Sequence, residues 1–542
     1  MSSSTVGYGW AKPGVYQTGR GRTLAIPMEV HASSRAKLVA LLKSPAYGVS
    51  AGLVLLAGGA EQSVYDTDGE PLFRQDSWFN YLFGVKEPGV VGAIELSTGR
   101  ATLFIPKLPE EYRIWCGEIH PPSVFASSYA VDEVAYTEAL LDWVKSHLAT
   151  EGEGSKILLL HGRNSDSGLY PKQVDYFSSQ DLGLTAALGD RVEPSDSLLF
   201  HALSTARVTK SAAEIEVMRY CAWVASQAHV QVMRAAQPGM VEYELEATFL
   251  YEIYRHGGCR KCAYTSICAC GPNGATLHYG HAGAPNDRPL QDGDMALLDM
   301  GAEYHGYVSD ITCSFPVSST KKFSPDQAGV YQGVLNAQRA VLELMTPGTA
   351  WPDCHKAAEL EIIKALQGLG VLVADQAPEL LQQKGLGAVF FPHGLGHLIG
   401  CDTHDVGGYI NGTPERSATP GLSKLRTARV LEAGLVLTNE PVCYFIDALI
   451  DAALGDSLKA PFIVKDRLAA FRGFGGVRLE DVVLVAAEGG AQNLTTCPRT
   501  IAEVEGVLSG GVWPPVKDEA PWLKRRWTKL GPGGEGMLIF DL

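Results

Sequence analysis

Apolar runs and helical stripes alternate through the first two hundred residues. The run GLVLLAGG at 52–59 is continuously apolar and closed by glycines, which predicts a buried strand. GVVGAIEL and ATLFIP are two more strand-like runs, and the turn residues Ser97, Thr98, Gly99 and Arg100 between them predict a hairpin. Helical spacing covers 37–42 and 132–147, and KILLLHG returns to a strand pattern. Such alternation predicts an α/β domain over residues 1–205.

From Ser211 onward the periodicity changes. Ser211 followed by Glu214 has the form of a capping box, and Ile215, Met218, Ala222 and Ala225 supply the apolar stripe of a helix running to about Ala236. A second helix follows Gly239 and stops at Gly257 and Gly258. A strand-rich stretch over 264–277 leads to a hairpin at 292–316. Ser324 with Pro325 then announces another helix that ends before Pro347, and 351–369 is amphipathic. Glycine-rich segments and short strands continue to about Val485. Helices and strands are segregated here, so the chain as a whole is predicted to be α+β, with a second domain over 206–508. Residues 509–542, with GG, PP and GPGGEG, have the composition of a poorly ordered extension, although Trp513, Trp522 and Trp527 could dock on the body.

Two acids break this pattern. Asp299 lies inside MALLDM and Asp310 inside YVSDITCSF, and a carboxylate in an apolar run has to be neutralised, hydrogen-bonded or bound to a cation. A hairpin turning on Tyr304 and His305 would set Asp299 directly across from Asp310, where the two repel unless a cation lies between them. His397 in VFFPHGLGH, Glu440 in VLTNEP and Glu480 in GFGGVRLEDVVLV occupy similar apolar, glycine-flanked positions. Each taken alone has an ordinary explanation: a core histidine bonded to backbone, a strand-end acid, a cross-strand ion pair between Glu480 and Arg478. Together, four carboxylates and one imidazole form the hard-oxygen donor set of a two-cation site suited to Mn²⁺, Fe²⁺ or Co²⁺. His393 and His397 are four apart, but Gly394 and Gly396 oppose a helix, and spacing does not decide between them.

Composition narrows the function classes. The 542 residues allow two to four domains at roughly 150 residues each, and 46% apolar with 19% charged residues is ordinary for a globular protein. A formal net charge of −15 argues against a nucleic-acid binder. No apolar run approaches the roughly 20 residues of a membrane span, so a cytoplasmic protein is expected. The stretch before Glu29 lacks acids and holds Ser2 to Ser4, Lys12, Arg20 and Arg22, a composition shared with organelle transit peptides. Eleven cysteines is an odd number, and the cluster Cys259, Cys262, Cys268 and Cys270 lacks the two separated pairs of a structural zinc site, so reduced thiols are expected.

The strings HYGHAGAPNDR, LLDMGAEY with SDITCSFP, PHGLGH with CDTHDVGGY, LRTAR, LTNEP and FRGFGGVRLED resemble those of the prolidases, the Xaa-Pro dipeptidases among the pita-bread metallopeptidases. The resemblance extends from about residue 35 to PRTIAEVE near 505. It implies an N-terminal creatinase-like α/β domain, a C-terminal pita-bread catalytic domain, a homodimer, and two divalent cations per subunit, most often Mn²⁺. By motif position Asp299 would hold one cation, Asp310 and Glu480 would bridge both, and His397 with Glu440 would hold the other, which selects His397 over His393. A hydroxide shared by the cations would attack the carbonyl before proline, with Glu440 moving the proton. His278 and His404 match histidines that steady the substrate carbonyl and the tetrahedral intermediate. Arg426, first arginine of LRTAR, matches a residue that grips the free carboxylate of the dipeptide. Tyr264, Arg478 and Trp115 fall among the substrate-binding positions, Trp115 reaching into the partner subunit's site. Other readings are an aminopeptidase acting on longer X-Pro peptides, and a pita-bread scaffold that binds peptides without catalysis. Asn439 before Glu440, the PEEYRI segment before Trp115 and the tail after 508 depart from the pattern.

Overall fold

A computed structural model describes residues 10–19, 21–152, 155–179, 183–193, 198–280, 283 and 286–542. Ser2 to Ser4 and Arg20, which carry part of the transit-like composition, lie outside the described residues. Two compact units are present: residues up to Val208 together with Pro532–Gly536, and Thr209–Gly531 together with Met537–Leu542. Among the described residues no helix is long and apolar enough to cross a membrane.

The first unit is built on a six-stranded mixed sheet in the order Glu133–Tyr136, Ala101–Ile105, Val91–Glu95, Gly52–Ala57, Lys156–Leu159, Val192–Glu193. Leu53 to Leu56 are wholly buried, as a continuous apolar run requires when both faces of a strand are covered. The three middle strands pair antiparallel and the outer ones parallel. The helix expected at 132–147 is displaced. Residues Glu133–Tyr136 pair with 102–105 as an edge strand, and the helix runs over Leu140–Glu151. Its Leu140, Val144 and Leu148 recur every fourth residue and pack against Leu53, Phe104 and Ile157. Sheet pairing at the edge overrides the helical periodicity that reads on through 133–136. The helix at 37–42 is in fact Glu29–Lys43.

The second unit sets helices beside several small antiparallel sheets. The helix Ala212–Ala235 opens on the expected capping box: Ser211 Oγ accepts from the Glu214 N–H at 3.3 Å and Glu214 Oε2 accepts from the Ser211 N–H at 2.8 Å. Glu242–Gly257, Pro325–Leu344 and Trp351–Gly368 follow. The site is carried by three sheets, whose strands are Ile267–Cys270, Asp294–Asp299 and Thr312–Val317; Val436–Asn439, Asp481–Val485 and Ala491–Asn493; and Val442–Tyr444 with Gly476–Arg478. The strand-rich stretch at 264–277 reduces to Ile267–Cys270, because Gly271–Ala275 closes into a 3₁₀ turn.

The hairpin carrying the two acids differs from its expected register. It turns on His305 and Gly306, both with positive φ (53° and 78°), the pair of values that a two-residue type I′ turn requires. Tyr304 therefore pairs with Tyr307, and Asp299 pairs with Thr312, not with Asp310. Asp310 stands in the break between Tyr307–Val308 and Thr312–Val317, opposite Gly301. A β-carbon at Gly301 would collide with the Ser309 carbonyl, so the two chains approach closely at that break because residue 301 has no side chain.

The C-terminal stretch is ordered, and its tryptophans account for that. Trp513 and Trp527 are buried with ring centroids 5.6 Å apart, Arg525 lies over both, and the Trp513 indole donates to the Thr496 carbonyl at 2.9 Å. Arg525 also pairs with Glu503 at 2.7 Å and Asp518 at 2.6 Å. All eleven cysteines are free thiols.

Candidate metal centre

Asp310, His397 and Glu480 converge, with one donor atom from each lying within 4.8 Å of the others. Three separate backbone segments bring them there. Asp310 comes from the break in the hairpin. Glu480 stands between the strands Gly476–Arg478 and Asp481–Val485, and its N–H donates to the Thr312 carbonyl at 3.1 Å. His397 is held beside the strand Val436–Asn439: the Thr438 N–H donates to the His397 carbonyl at 2.9 Å, and the Glu440 N–H donates to the Leu395 carbonyl at 2.9 Å. This pairing also delivers Glu440, whose Oε1 lies 3.6 Å from His397 Nε2.

Asp299 stands at the side of this group and is already bonded. It accepts from the Tyr264 hydroxyl at 2.5 Å and from Arg478 Nη2 at 2.5 Å. The Arg478 fork continues to Tyr444, and its Nε donates to Thr312 Oγ1 at 2.8 Å. Thr312 in turn donates to Glu480 Oε2 at 2.8 Å. Arg478 therefore pairs primarily with Asp299, and it meets Glu480 only at 3.9 Å and through Thr312. His393 does not join the group. Its Nδ1 bonds the Gly394 carbonyl at 2.7 Å, and it lies 3.9 Å from Glu440.

The electrostatics are those of acids crowded out of water. Burial pushes the Asp299 carboxyl up to about 6, against the pull of Arg478, and pushes Glu440 up to about 7, against His397. Burial and the neighbouring acids Asp310, Glu440 and Asp299 raise Glu480 strongly. For Asp310 burial also acts upward, but the hydrogen bond and charge of His397, 3.4 Å away, outweigh it and hold the carboxyl below its ordinary value. Asp310 Oδ1 has no hydrogen-bond partner among the described residues although it is buried. A carboxylate with one orphaned oxygen, beside an imidazole and a second carboxylate whose charge is destabilised, fits a divalent cation. No other group of three or more His, Cys, Asp or Glu side chains meets the same geometry among the described residues.

The remaining expected residues are placed as follows. His404 presents its ring edge-on to His397, centroids 4.5 Å apart, with an exposed outer side. His278 is exposed and follows the 3₁₀ turn Gly271–Ala275, while Arg426 is half-buried in a loop whose backbone packs against Gly408. Trp115, in the short helix Tyr112–Cys116 of the first unit, is 83% exposed. Sequence reading missed Thr312, Tyr444 and Thr438, which orient the acids. Thr312 was legible in principle as a polar residue within the apolar strand after Asp310, whereas Tyr444 and Thr438 have no sequence signal apart from lying near Glu440.

These shifts carry a pH dependence for the cation-free protein. Unfolded carboxylates titrate near 4. Asp299 and Glu440 have folded values above that, so their contribution to stability is complete below about pH 4 and is lost as pH rises through 6 and 7. Each amounts to about 3 kcal/mol, and the sum is smaller because the groups share one site. Chelator-treated protein is expected to lose stability between pH 5 and pH 8, and Mn²⁺ to restore more at pH 8, since ligands bind cations deprotonated. Urea midpoints at the two pH values, with and without chelator, measure this. A cation-free protein that gains stability over that range contradicts it.

Residues 216–487 match Metallopeptidase family M24, and residues 31–157 match Aminopeptidase P, N-terminal domain. The chain belongs to metallopeptidase family M24. Its relatives include the human Xaa-Pro dipeptidase, 45% identical over 90% of this chain and 95% of the human one. The mouse Xaa-Pro dipeptidase is 43% identical, with the same shares covered. Among solved structures, aminopeptidase PepP of Pseudomonas aeruginosa superposes with a TM-score of 0.70 at 31% identity, over 90% of this chain and 98% of that one. The creatinase-like N-terminal part and the pita-bread catalytic part are thus those of the M24 family.

Proposed function

We propose that the protein is a metal-dependent Xaa-Pro dipeptidase, which hydrolyses the amide before a C-terminal proline and releases free proline. The observation that carries the reading is the convergence of Asp310, His397 and Glu480, with one Asp310 oxygen unpartnered among the described residues and Asp299 and Glu440 at its flanks. The 45% identity to the human Xaa-Pro dipeptidase over nearly the full length supports the substrate class.

Asp299, Asp310, His397, Glu440 and Glu480 would hold two divalent cations, with Mn²⁺ the favoured identity for a carboxylate-rich set. Bound there, the cations supply an ionised water at neutral pH and polarise the scissile carbonyl. The protein's own groups do the rest. Glu440, half-buried beside His397, is placed to take a proton and return it to the proline nitrogen as the bond breaks. His404 and His278 donate to the substrate oxygen as negative charge develops on it. Arg426 pairs both oxygens of the free carboxylate, which fixes the substrate length at two residues. Tyr264 and Arg478 hold Asp299 in place, and since the Arg478 nitrogens are engaged by Asp299, Tyr444 and Thr312, its effect on substrate is indirect. Exposed Trp115 would close the site of the partner subunit in a homodimer acting in the cytoplasm.

The X-Pro amide has no N–H, so recognition rests on the carboxylate and the ring. Gly-Pro is therefore expected to be cleaved and its C-terminal amide to be cleaved far more slowly. Turnover of X-Pro tripeptides without turnover of dipeptides would move the reading to an X-Pro aminopeptidase. Binding without turnover of either would leave a peptide-binding scaffold.

A further inference from the structure

Arg499 lies outside the donor group yet is tied to two of the three segments that carry it. The side chain is 1% exposed. Its Nη1 donates to the Thr312 carbonyl at 2.9 Å, and its Nη2 donates to the Glu480 carbonyl at 2.6 Å. The Glu480 N–H donates to that same Thr312 carbonyl at 3.1 Å. Both peptide groups of Glu480 are thus fixed against residue 312, two positions after Asp310. Charge balance comes from Asp481, wholly buried, which accepts from Arg499 Nη2 at 2.7 Å and Nε at 3.1 Å, while its other oxygen accepts from Asn493 at 2.7 Å. The backbone of Arg499 is anchored as well: its carbonyl accepts from the Tyr331 hydroxyl at 2.8 Å and its N–H donates to Glu503 Oε2 at 2.9 Å.

We propose that Arg499 is a positioning residue that sets the separation of Asp310 and Glu480, and with it the affinity for the cation pair that both would bridge. Asp310 and Glu480 come from different segments of the chain, and two ionised carboxylates do not hold each other together, since like charges repel. The planar guanidinium reaches two main-chain carbonyls and a carboxylate at once, a fork that a lysine ammonium does not reproduce. Outer groups that orient ligands in this way change metal affinity by about 10–100-fold when altered. The inference rests on the two-cation reading above.

The test is a Mn²⁺ titration of the full-length, chelator-stripped protein, followed by calorimetry and by the electron-spin signature of a coupled Mn²⁺ pair, for the wild type, Arg499→Lys and Asp481→Asn. Arg499→Lys keeps the buried charge, so it is expected to fold and to bind the cation pair about 10–100-fold more weakly. At saturating Mn²⁺ its kcat should recover and its KM for Gly-Pro should stay within about twofold of wild type, because no substrate contact is lost. Asp481→Asn, which loosens Arg499 without touching either carbonyl, should weaken binding of the pair by a smaller factor. Wild type that binds no Mn²⁺ pair overturns the two-cation reading. Wild type that binds the pair, with a lysine variant that binds it with equal affinity, overturns the role given to Arg499.

Discussion

Asp310→Asn is expected to lower Gly-Pro turnover by about 10³-fold or more, equivalent to about 4 kcal/mol in the barrier, and to reduce bound Mn²⁺ while the protein stays folded. Asparagine has the shape of aspartate but offers one weak acceptor in place of two charged ones. Asp310 Oδ2 faces His397 Nε2 at 3.4 Å, and Oδ1 has no partner among the described residues, so the fold does not depend on that oxygen. Neutralising one acid also relieves Glu480, whose carboxyl is raised by burial and by the Asp310 charge. Cation-free stability should therefore change little. Metal content and turnover, measured beside the thermal midpoint, separate a lost site from a lost fold. A variant with full activity would falsify the assignment of Asp310 as a shared ligand.

The second large effect is on stability. Lys210→Met is expected to cost about 3–5 kcal/mol by leaving Asp405 buried without its cation. Lys210 Nζ and Asp405 Oδ2 are 2.9 Å apart, and each side chain is 1% exposed. The backbone on both sides of the pair is tied down: the Lys210 N–H donates to the Gly434 carbonyl at 2.8 Å and the Asp405 N–H to the Leu398 carbonyl at 2.9 Å. A β-carbon at Gly400 would collide with both side chains, so the loop at 400–408 closes over the pair at a glycine. His404, the residue before Asp405, depends on this closure for its place beside His397. The urea midpoint is the readout, and replacing both partners, Lys210→Met with Asp405→Leu, should recover much of the loss, because no buried charge then remains. A single substitution that costs less than about 1 kcal/mol, as an exposed pair would, contradicts the account.

The fold was legible wherever the signal was local. The capping boxes at Ser211 and Ser324, the buried run at 52–57 and the segregation of helices from strands after residue 208 all follow from side chains a few positions apart. The site was legible as a set of residue types in apolar surroundings, since the cost of burying charge is visible in sequence. What escaped was geometry. The facing of Asp299 and Asp310 depended on which two residues make the turn, and moving the turn by one position, to His305 and Gly306, carries Asp299 to Thr312. Arg478 reads from sequence as a partner of nearby Glu480, yet in the fold it reaches Asp299, 179 positions away in the chain. Strand pairing at 133–136 overrode helical periodicity. The tail read as loose because glycine and proline set its composition, but two buried tryptophans and Arg525 fix it.

The central claim is that this carboxylate and imidazole group is a two-cation centre that cleaves Xaa-Pro dipeptides. Proline release from Gly-Pro by the Mn²⁺-loaded protein, before and after removal of cations with a chelator and again after Mn²⁺ is returned, tests it in one assay. Free proline is expected in the first and third states and none in the second. Proline release that persists undiminished in chelated protein, or no release from the Mn²⁺-loaded protein while X-Pro tripeptides are cleaved, contradicts it.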